Sequence, residues 1–351
     1  MQLILNHTLN IPDNSRNLAD QIIINTWLIF CVLTGIAGNG YVLYVTHKFN
    51  AIRIDEMSLW FINRLGITDI LSTVVMVVPV TAVNLAGNQW IFGDFGCIVI
   101  AFISRIPFIA NILLIVGLNI NKLYRVSFPL RSLGHMSNRV KGLWLVTVIT
   151  LATVNPFLGL IFNNFTATIH FNSLASVCRL TREAFLVVVI RFIIYIIIPG
   201  IILIITNTAL VIIAFKRTQT SVNKRNIVVV LGVTLQFLIA FIPYTLVLSV
   251  AFYIPVADWV VRGAFSLLYT TCWFNPVVYY LNNPSFKEFT NSLVRNGWRK
   301  LRGLQRSGSE RFRLYRVLTS SPSFNRSFNL NSSPSTNRFH VNTEEVELGL
   351  R

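Results

Sequence analysis

Seven stretches of this chain are apolar over about 20 residues or more, the length an α-helix needs to cross the hydrocarbon core of a bilayer. They run over 22–46, 57–83, 95–119, 142–163, 185–213, 226–251 and 259–281, each bounded by polar, charged or Gly/Asn-rich segments. No water reaches backbone groups in lipid, so a spanning segment must satisfy them internally, as a helix does. Composition agrees. Of 351 residues, 54% are hydrophobic and 12% charged, about half the charged fraction usual in soluble domains. Mean hydropathy is +0.62. A water-soluble fold of this length has too little interior to hide such a surface. The expected class is an all-α membrane protein, a seven-transmembrane helix bundle.

The net charge of +17 is concentrated in alternate loops and in the last sixty or so residues. Lys48, Arg53, Arg125, Arg131, Arg139, Lys141, Lys216, Arg217, Lys224 and Arg225 share one side, joined by Lys287, Arg295, Arg299, Lys300 and Arg302 of the tail. The other side holds Arg16, Arg179, Arg182 and Arg262 beside Asp13, Asp20, Asp94, Glu183 and Asp258. Positive loops stay in the cytosol, so the N-terminus is expected outside and the C-terminus inside, which requires an odd number of spans. The basic residues then serve orientation and attraction to anionic lipid. No groove-reading motif is present, so nucleic acid is not an expected partner. Residues 1–20 lack a basic region followed by an apolar stretch, so the first span is expected to act as its own insertion signal. The expected organisation is an outer tail over 1–21, the bundle over 22–281, a short amphipathic helix over 282–298 and a disordered cytoplasmic tail over 299–351.

None of the four cysteines pairs at metal-ligand spacing. Cys31 and Cys272 lie inside apolar runs and read as core residues. Cys97 and Cys178 lie at loop edges on the outer, oxidising side, either bridged or as two free thiols. Sequons at Asn6 and Asn164 also fall outside; Asn6, in a free tail, is the expected glycosylation site. Those at Asn325 and Asn331 face the cytosol and should stay bare.

The most specific string is Asn275-Pro276-Val277-Val278-Tyr279 in the seventh span. Pro276 removes a backbone donor and kinks the helix; Asn275 is suited to bond the freed carbonyls or a neighbouring helix. Phe286, Phe289 and Leu293 then fall on one face of a short amphipathic helix. Together these segments resemble the end of the seventh helix and helix 8 of rhodopsin-like (class A) G-protein-coupled receptors. Other landmarks follow in order: Gly38-Asn39, Leu65 with Asp69, Trp90-x-Phe92-Gly93-x-x-x-Cys97, Trp144, Pro199, and Phe237 with Pro243-Tyr244. The resemblance covers about 20–295 and implies a receptor that binds an extracellular ligand and activates a heterotrimeric G protein at the plasma membrane. It also implies that Cys97 and Cys178 are bridged.

Asp69 is the one acid deep in a span, and an intramembrane acid is a functional candidate by default. The resemblance implies that it meets Asn39, Asn111, Thr271 and Asn275 in the bundle centre. These offer oxygen ligands for a hard cation such as sodium; the alternative is a protonated or water-bridged Asp69 with no ion. No other cofactor is implied. Where the family carries Asp-Arg-Tyr at the inner end of span 3, this chain has Asn121-Lys122-Leu123, anchored by Pro129. Lys122 keeps a charge but loses the planar fork of arginine, and Asn121 removes its acidic partner. Phe241, Ala240 and Asn207 also depart from the family pattern. Ser104 stands where amine receptors carry Asp, so a monoamine salt bridge is not available.

Arg105 lies about two turns into the membrane in span 3 and Arg191 about two turns before Pro199 in span 5, at positions that by resemblance line the outer cavity. They are expected to hold an anionic ligand group between them, over an apolar floor of Phe108, Phe241 and Tyr244. The alternative is that both reach headgroups, Asp94, Glu183 or backbone carbonyls. Pro107 frees a carbonyl in the same wall. On the cytosolic side, Lys122, Arg125, Lys216, Arg217, Lys224 and Arg225 are expected to line the G-protein cleft, with Pro243 and Pro276 as flex points and Tyr279 at the boundary. Tail hydroxyls between Ser307 and Thr336 are candidates for a receptor kinase and for arrestin capture. A transporter or channel is the other reading, against which stand the lack of internal repeats and the odd span count. A membrane enzyme needs paired acids or a His/Cys/Ser set at one depth, whereas Asp69 stands alone. A light receptor needs a lysine in 259–281, which has none.

Overall fold

The structure is a computed structural model that describes residues 18–48, 56–128, 138–162, 169–172, 176–180, 185–216, 221–251, 254, 256–282, 286–295 and 298–299. Asn6, Asn164, Pro129, Glu183 and the tail hydroxyls lie outside these residues, as do the side chains of Lys224 and Arg225. The helices follow the apolar runs. They are α1 (Leu18–Lys48), α2 (Glu56–Leu85) and α3 (Gly93–Ser127), and α4 (Asn138–Phe162). Then come α5 (Phe185–Phe192, Ile193–Ile197 and Ile198–Lys216 in series) and α6 (Ser221–Ala251). Six helices among the described residues are long and apolar enough to cross a membrane. The seventh, α7, consists of two 12-residue helices, Asp258–Tyr269 and Thr271–Asn282, meeting at Thr270. Residues 286–295 form α8.

Prolines explain most departures from straight helix. A proline lacks an N–H and its ring crowds the preceding turn. In α2 and α5 the chain widens into π turns, Thr73–Val77 and Ile193–Ile197, each ending two residues before a proline, Pro79 and Pro199. The N–H of Val78 reaches back to Thr73 O, and that of Ile198 to Ile193 O, the wide spacing that makes room for the ring. In α3 the break falls at Ser104, three residues before Pro107. In α7 it falls at Thr270, whose hydroxyl donates to Leu267 O at 2.6 Å and so competes with the helix ladder.

Apolar residues face both ways, as lipid permits. Val146, Ile201, Ile204 and Ile205 point outward, while Leu65, Leu118, Leu203 and Leu210 fill the interior. Helix α3 is central, packed against α2, α4, α5 and α6, while α7 closes the ring against α1 and α6. Small residues set the closest approaches. A Cβ on Gly117 of α3 would come within 2.5 Å of Phe61 and 2.7 Å of Trp144.

At one end, strands β1 (Ile169–Asn172) and β2 (Val177–Leu180) pair antiparallel with Phe171 opposite Cys178. Cys178 is bridged to Cys97 at the start of α3. Trp90 packs on Phe171 at 5.7 Å and donates from Nε1 to Gly93 O at 2.8 Å, which fixes the turn where Gly93 takes φ 67°. At the other, basic end, Lys141 pairs with Glu56. There Phe286 and Phe289 of α8 are buried against Tyr41, Tyr279 and Tyr44.

Candidate functional site

Three polar layers run down the bundle. The middle one is built around Asp69, which is 1% exposed. Asn111 Nδ2 of α3 donates to its Oδ1 at 2.8 Å, and Asn275 Nδ2 of α7 donates to its Oδ2 at 2.9 Å. Thr68 donates to Asn111 Oδ1, which holds that amide with its nitrogen toward the acid. The expected ring of ligands is therefore rearranged. Asn39 donates instead to Gly35 O at 2.9 Å and Cys272 O at 2.6 Å. The reason is Pro276: it leaves the carbonyl four residues earlier, that of Cys272, without its helical donor, and Asn39 of α1 supplies one. Thr271 lines the same space but turns its hydroxyl to Leu268 O at 2.7 Å.

Beside Asp69 lies a cavity of about 20 Å³, bounded also by Ser72, Met76, Phe108, Gln236, Phe237 and Cys272, room for one water-sized body. Ser72 Oγ and Asn275 Oδ1 are buried on its wall without a hydrogen-bond partner. With the remaining lone pairs of Asp69 they form an oxygen set that fits a hard monovalent cation. Asn39 and Asn111 do not join it, since the first is turned to α7 and the second presents nitrogen. Ser72 escaped the motif reading, although its place three residues after Asp69 puts it on the same helix face.

Toward the disulfide end lies a cluster of aromatic rings. Phe108 lies 4.8 Å from Phe241 and 5.8 Å from Tyr244, and Tyr244 meets Phe265 at 5.1 Å. Ser104 and Arg105 are half-buried at the break in α3. Arg191 is half-buried too, and its Nη2 donates to Asn155 O of α4 at 2.7 Å. One turn on, the Tyr195 hydroxyl donates to Leu151 O at 3.0 Å. Arg191 is thus anchored on a backbone carbonyl, the alternative to a ligand role.

Toward the basic end, Asn121 Nδ2 donates to Ser58 Oγ of α2 at 3.1 Å, and Lys122 is 4% exposed. Half a turn above, Asn119 and Thr234 join α3 to α6. Asn119 Nδ2 donates to Thr234 Oγ1 at 2.9 Å, and both residues are buried. Gln236 Nε2 ties α6 to α7 by donating to Thr270 Oγ1 at 3.0 Å. Motif reading found neither link, because each depends on which helix faces meet. Arg125 is half-buried, Lys216 exposed, and Pro243 lies inside α6. Tyr279 is buried against Phe286. No group of three or more His, Cys, Asp or Glu able to hold a metal occurs among the described residues.

The family model described as 7 transmembrane receptor (rhodopsin family) matches residues 38–279. Rhodopsin, GQ-coupled, of Mizuhopecten yessoensis is 25% identical over 292 residues, 76% of this chain and 58% of that protein, so the chain spans little more than half of that relative's length. The C5a anaphylatoxin chemotactic receptor 1 of Rattus norvegicus is 24% identical over 75% of this chain and 78% of its own. The QRFP-like peptide receptor of Branchiostoma floridae is 33% identical over 37% of this chain and 35% of its own. The crystal structure of squid rhodopsin superposes with a TM-score of 0.65 at 19% identity, covering 78% of this chain and 85% of that one, a likeness of fold. With two thirds of its length inside one family pattern, this multi-pass membrane protein belongs to the rhodopsin family of seven-transmembrane receptors.

Proposed function

We propose that this chain is a G-protein-coupled receptor of the plasma membrane, with its N-terminus and disulfide end outside. An extracellular ligand enters at that end, above the Phe108–Phe241–Tyr244 floor, and shifts the population toward a form in which α6 swings outward. A heterotrimeric G protein then enters at the basic end, beside Lys122, Arg125 and Lys216. The observation that carries this reading is the buried polar column. Asp69, Asn111, Asn275, Asn39, Gln236, Thr270, Asn119 and Thr234 link α1, α2, α3, α6 and α7 by neutral or singly charged hydrogen bonds. Such links have discrete alternatives at small cost, which a two-state element needs.

The ligand is a peptide or small molecule with an acidic group. Two observations support this: the peptide-receptor relative, and two arginines, Arg105 and Arg191, at half-buried positions near the disulfide end. An incoming carboxylate would draw Arg191 from its carbonyl partner, exchanging a neutral acceptor for a charged one. A sodium ion would be held by Asp69, Ser72 and Asn275, where its charge would tie α2 to α7. The cytoplasmic tail, once phosphorylated by a receptor kinase, recruits arrestin through its added charge. The test is a screen of acidic metabolites and carboxyl-terminal peptides on cells expressing the receptor at the surface, read by G-protein activation. Arg105→Ala and Arg191→Ala should each lower the potency of an active acid about tenfold or more. Unchanged potency in both removes the anion site, and silence with every G-protein class removes the receptor reading.

A further inference from the structure

Inside α2 a cation meets no acid among the described residues. Arg64 lies on α2 about 12 Å along the axis from Glu56, whose ion pair with Lys141 ties the basic ends of α2 and α4. The guanidinium folds back over Trp60, with Cζ 5.5 Å from the ring centroid. Among the described residues that ring is its partner, and its Nε is buried without an acceptor. Trp60 meets Phe61 edge-on at 5.1 Å, and Phe61 meets Trp144 of α4 edge-on at 5.9 Å. Trp144 Nε1 is likewise buried without an acceptor. The aromatic layer between α2 and α4 therefore holds two donor atoms, Arg64 Nε and Trp144 Nε1, without an acceptor among the described residues. Cations within a span are costly and mark sites of function, and buried donors call for acceptors.

We propose that this layer binds the headgroup of a net-negative phospholipid from the leaflet at the basic end, its phosphate oxygens accepting from the Arg64 guanidinium. A guanidinium can lie flat on an indole and still donate from its edge, which suits it to phosphate. The flanks favour a lipid over a free anion. Ile67 and Leu71 of α2, with Leu143 and Val146 of α4, are exposed apolar side chains. They offer acyl chains a track beside the cation. Folding back toward Trp60 also lowers the charge toward the headgroup level, as long basic side chains do near span ends. The layer rests on α3 at Gly117, where Phe61 and Trp144 would both collide with a Cβ. A bound lipid therefore braces α2 and α4 against the helix that carries Asn119.

The test is native mass spectrometry of the full-length receptor taken from vesicles of phosphatidylcholine with about one tenth phosphatidylglycerol. The wild type should retain one phosphatidylglycerol in preference to phosphatidylcholine. Arg64→Gln should cut that preference about tenfold. Equal preference in wild type and Arg64→Gln overturns the proposal. Should Arg64→Gln fail to fold, the thermal midpoint of the wild type decides. Phosphatidylglycerol added to neutral vesicles should raise the midpoint; no rise overturns the proposal, and an equal rise from inorganic phosphate overturns the lipid assignment.

Discussion

Asn39 shows how one side chain repairs a defect that the sequence creates elsewhere. Pro276 strips Cys272 O of its helical donor, and Asn39, 233 positions away, donates to it at 2.6 Å in a fully buried setting. A buried carbonyl left without a donor costs about 1–3 kcal/mol. Asn39→Ala should therefore lower the thermal midpoint of the purified receptor, with Asn39→Leu no better, because shape alone does not replace the donor. A midpoint equal to wild type would show that water or another side chain serves Cys272. At Asp69 the question is charge. Asp69→Asn preserves shape but removes the anion that a cation needs, so exchanging sodium for a bulky organic cation should lower the wild-type midpoint and leave Asp69→Asn unmoved. Equal sodium dependence in both would remove the ion from this site. Asp69 and Asn275 were legible from the motif, but which amide turns which atom toward the acid was not. That choice is made by Thr68 and Pro276, through contacts between helices.

Asn119–Thr234 links helix α6 to α3, and Gln236–Thr270 links it to α7. In this chain Asn121 stands where the family's motif carries its acid, and it donates to Ser58 of α2. Asn119–Thr234 is a direct side-chain link between the buried faces of α3 and α6. Hydrogen bonds between membrane helices average about 0.6 kcal/mol, so losing one shifts a two-state population roughly threefold. Thr234→Val should raise ligand-independent signalling by about that factor at equal surface expression, with Asn119→Val similar and the double mutant little higher. Additive effects would mean that the two residues act separately. Element boundaries were legible wherever hydropathy alone sets them. The π turns at Thr73–Val77 and Ile193–Ile197 were not, since a hydropathy window averages over five residues and a proline states only that something must give. The same averaging hid Arg64, a single charge within an apolar run.

At the scale of the whole molecule, the apolar runs and their order dictated the architecture. Lipid leaves the backbone one economical solution for each run, and the landmark residues then fixed which helix is which. What stayed illegible is what the receptor recognises, because cavity chemistry depends on a few side chains whose orientation is set by packing: Arg191 reads as a ligand cation in sequence and is found donating to Asn155 O. Epitope tags on the two termini should stain on opposite sides of intact and permeabilised cells; both on one side would overturn the odd number of spans. The central claim is that this bundle switches a G protein through the movement of α6. Its most direct test is nucleotide exchange on purified G proteins of each class, driven without ligand by wild type and Thr234→Val in vesicles. The account predicts exchange above empty vesicles for at least one class, higher for Thr234→Val than for wild type. No exchange by either protein on any class, with both correctly folded, would contradict it.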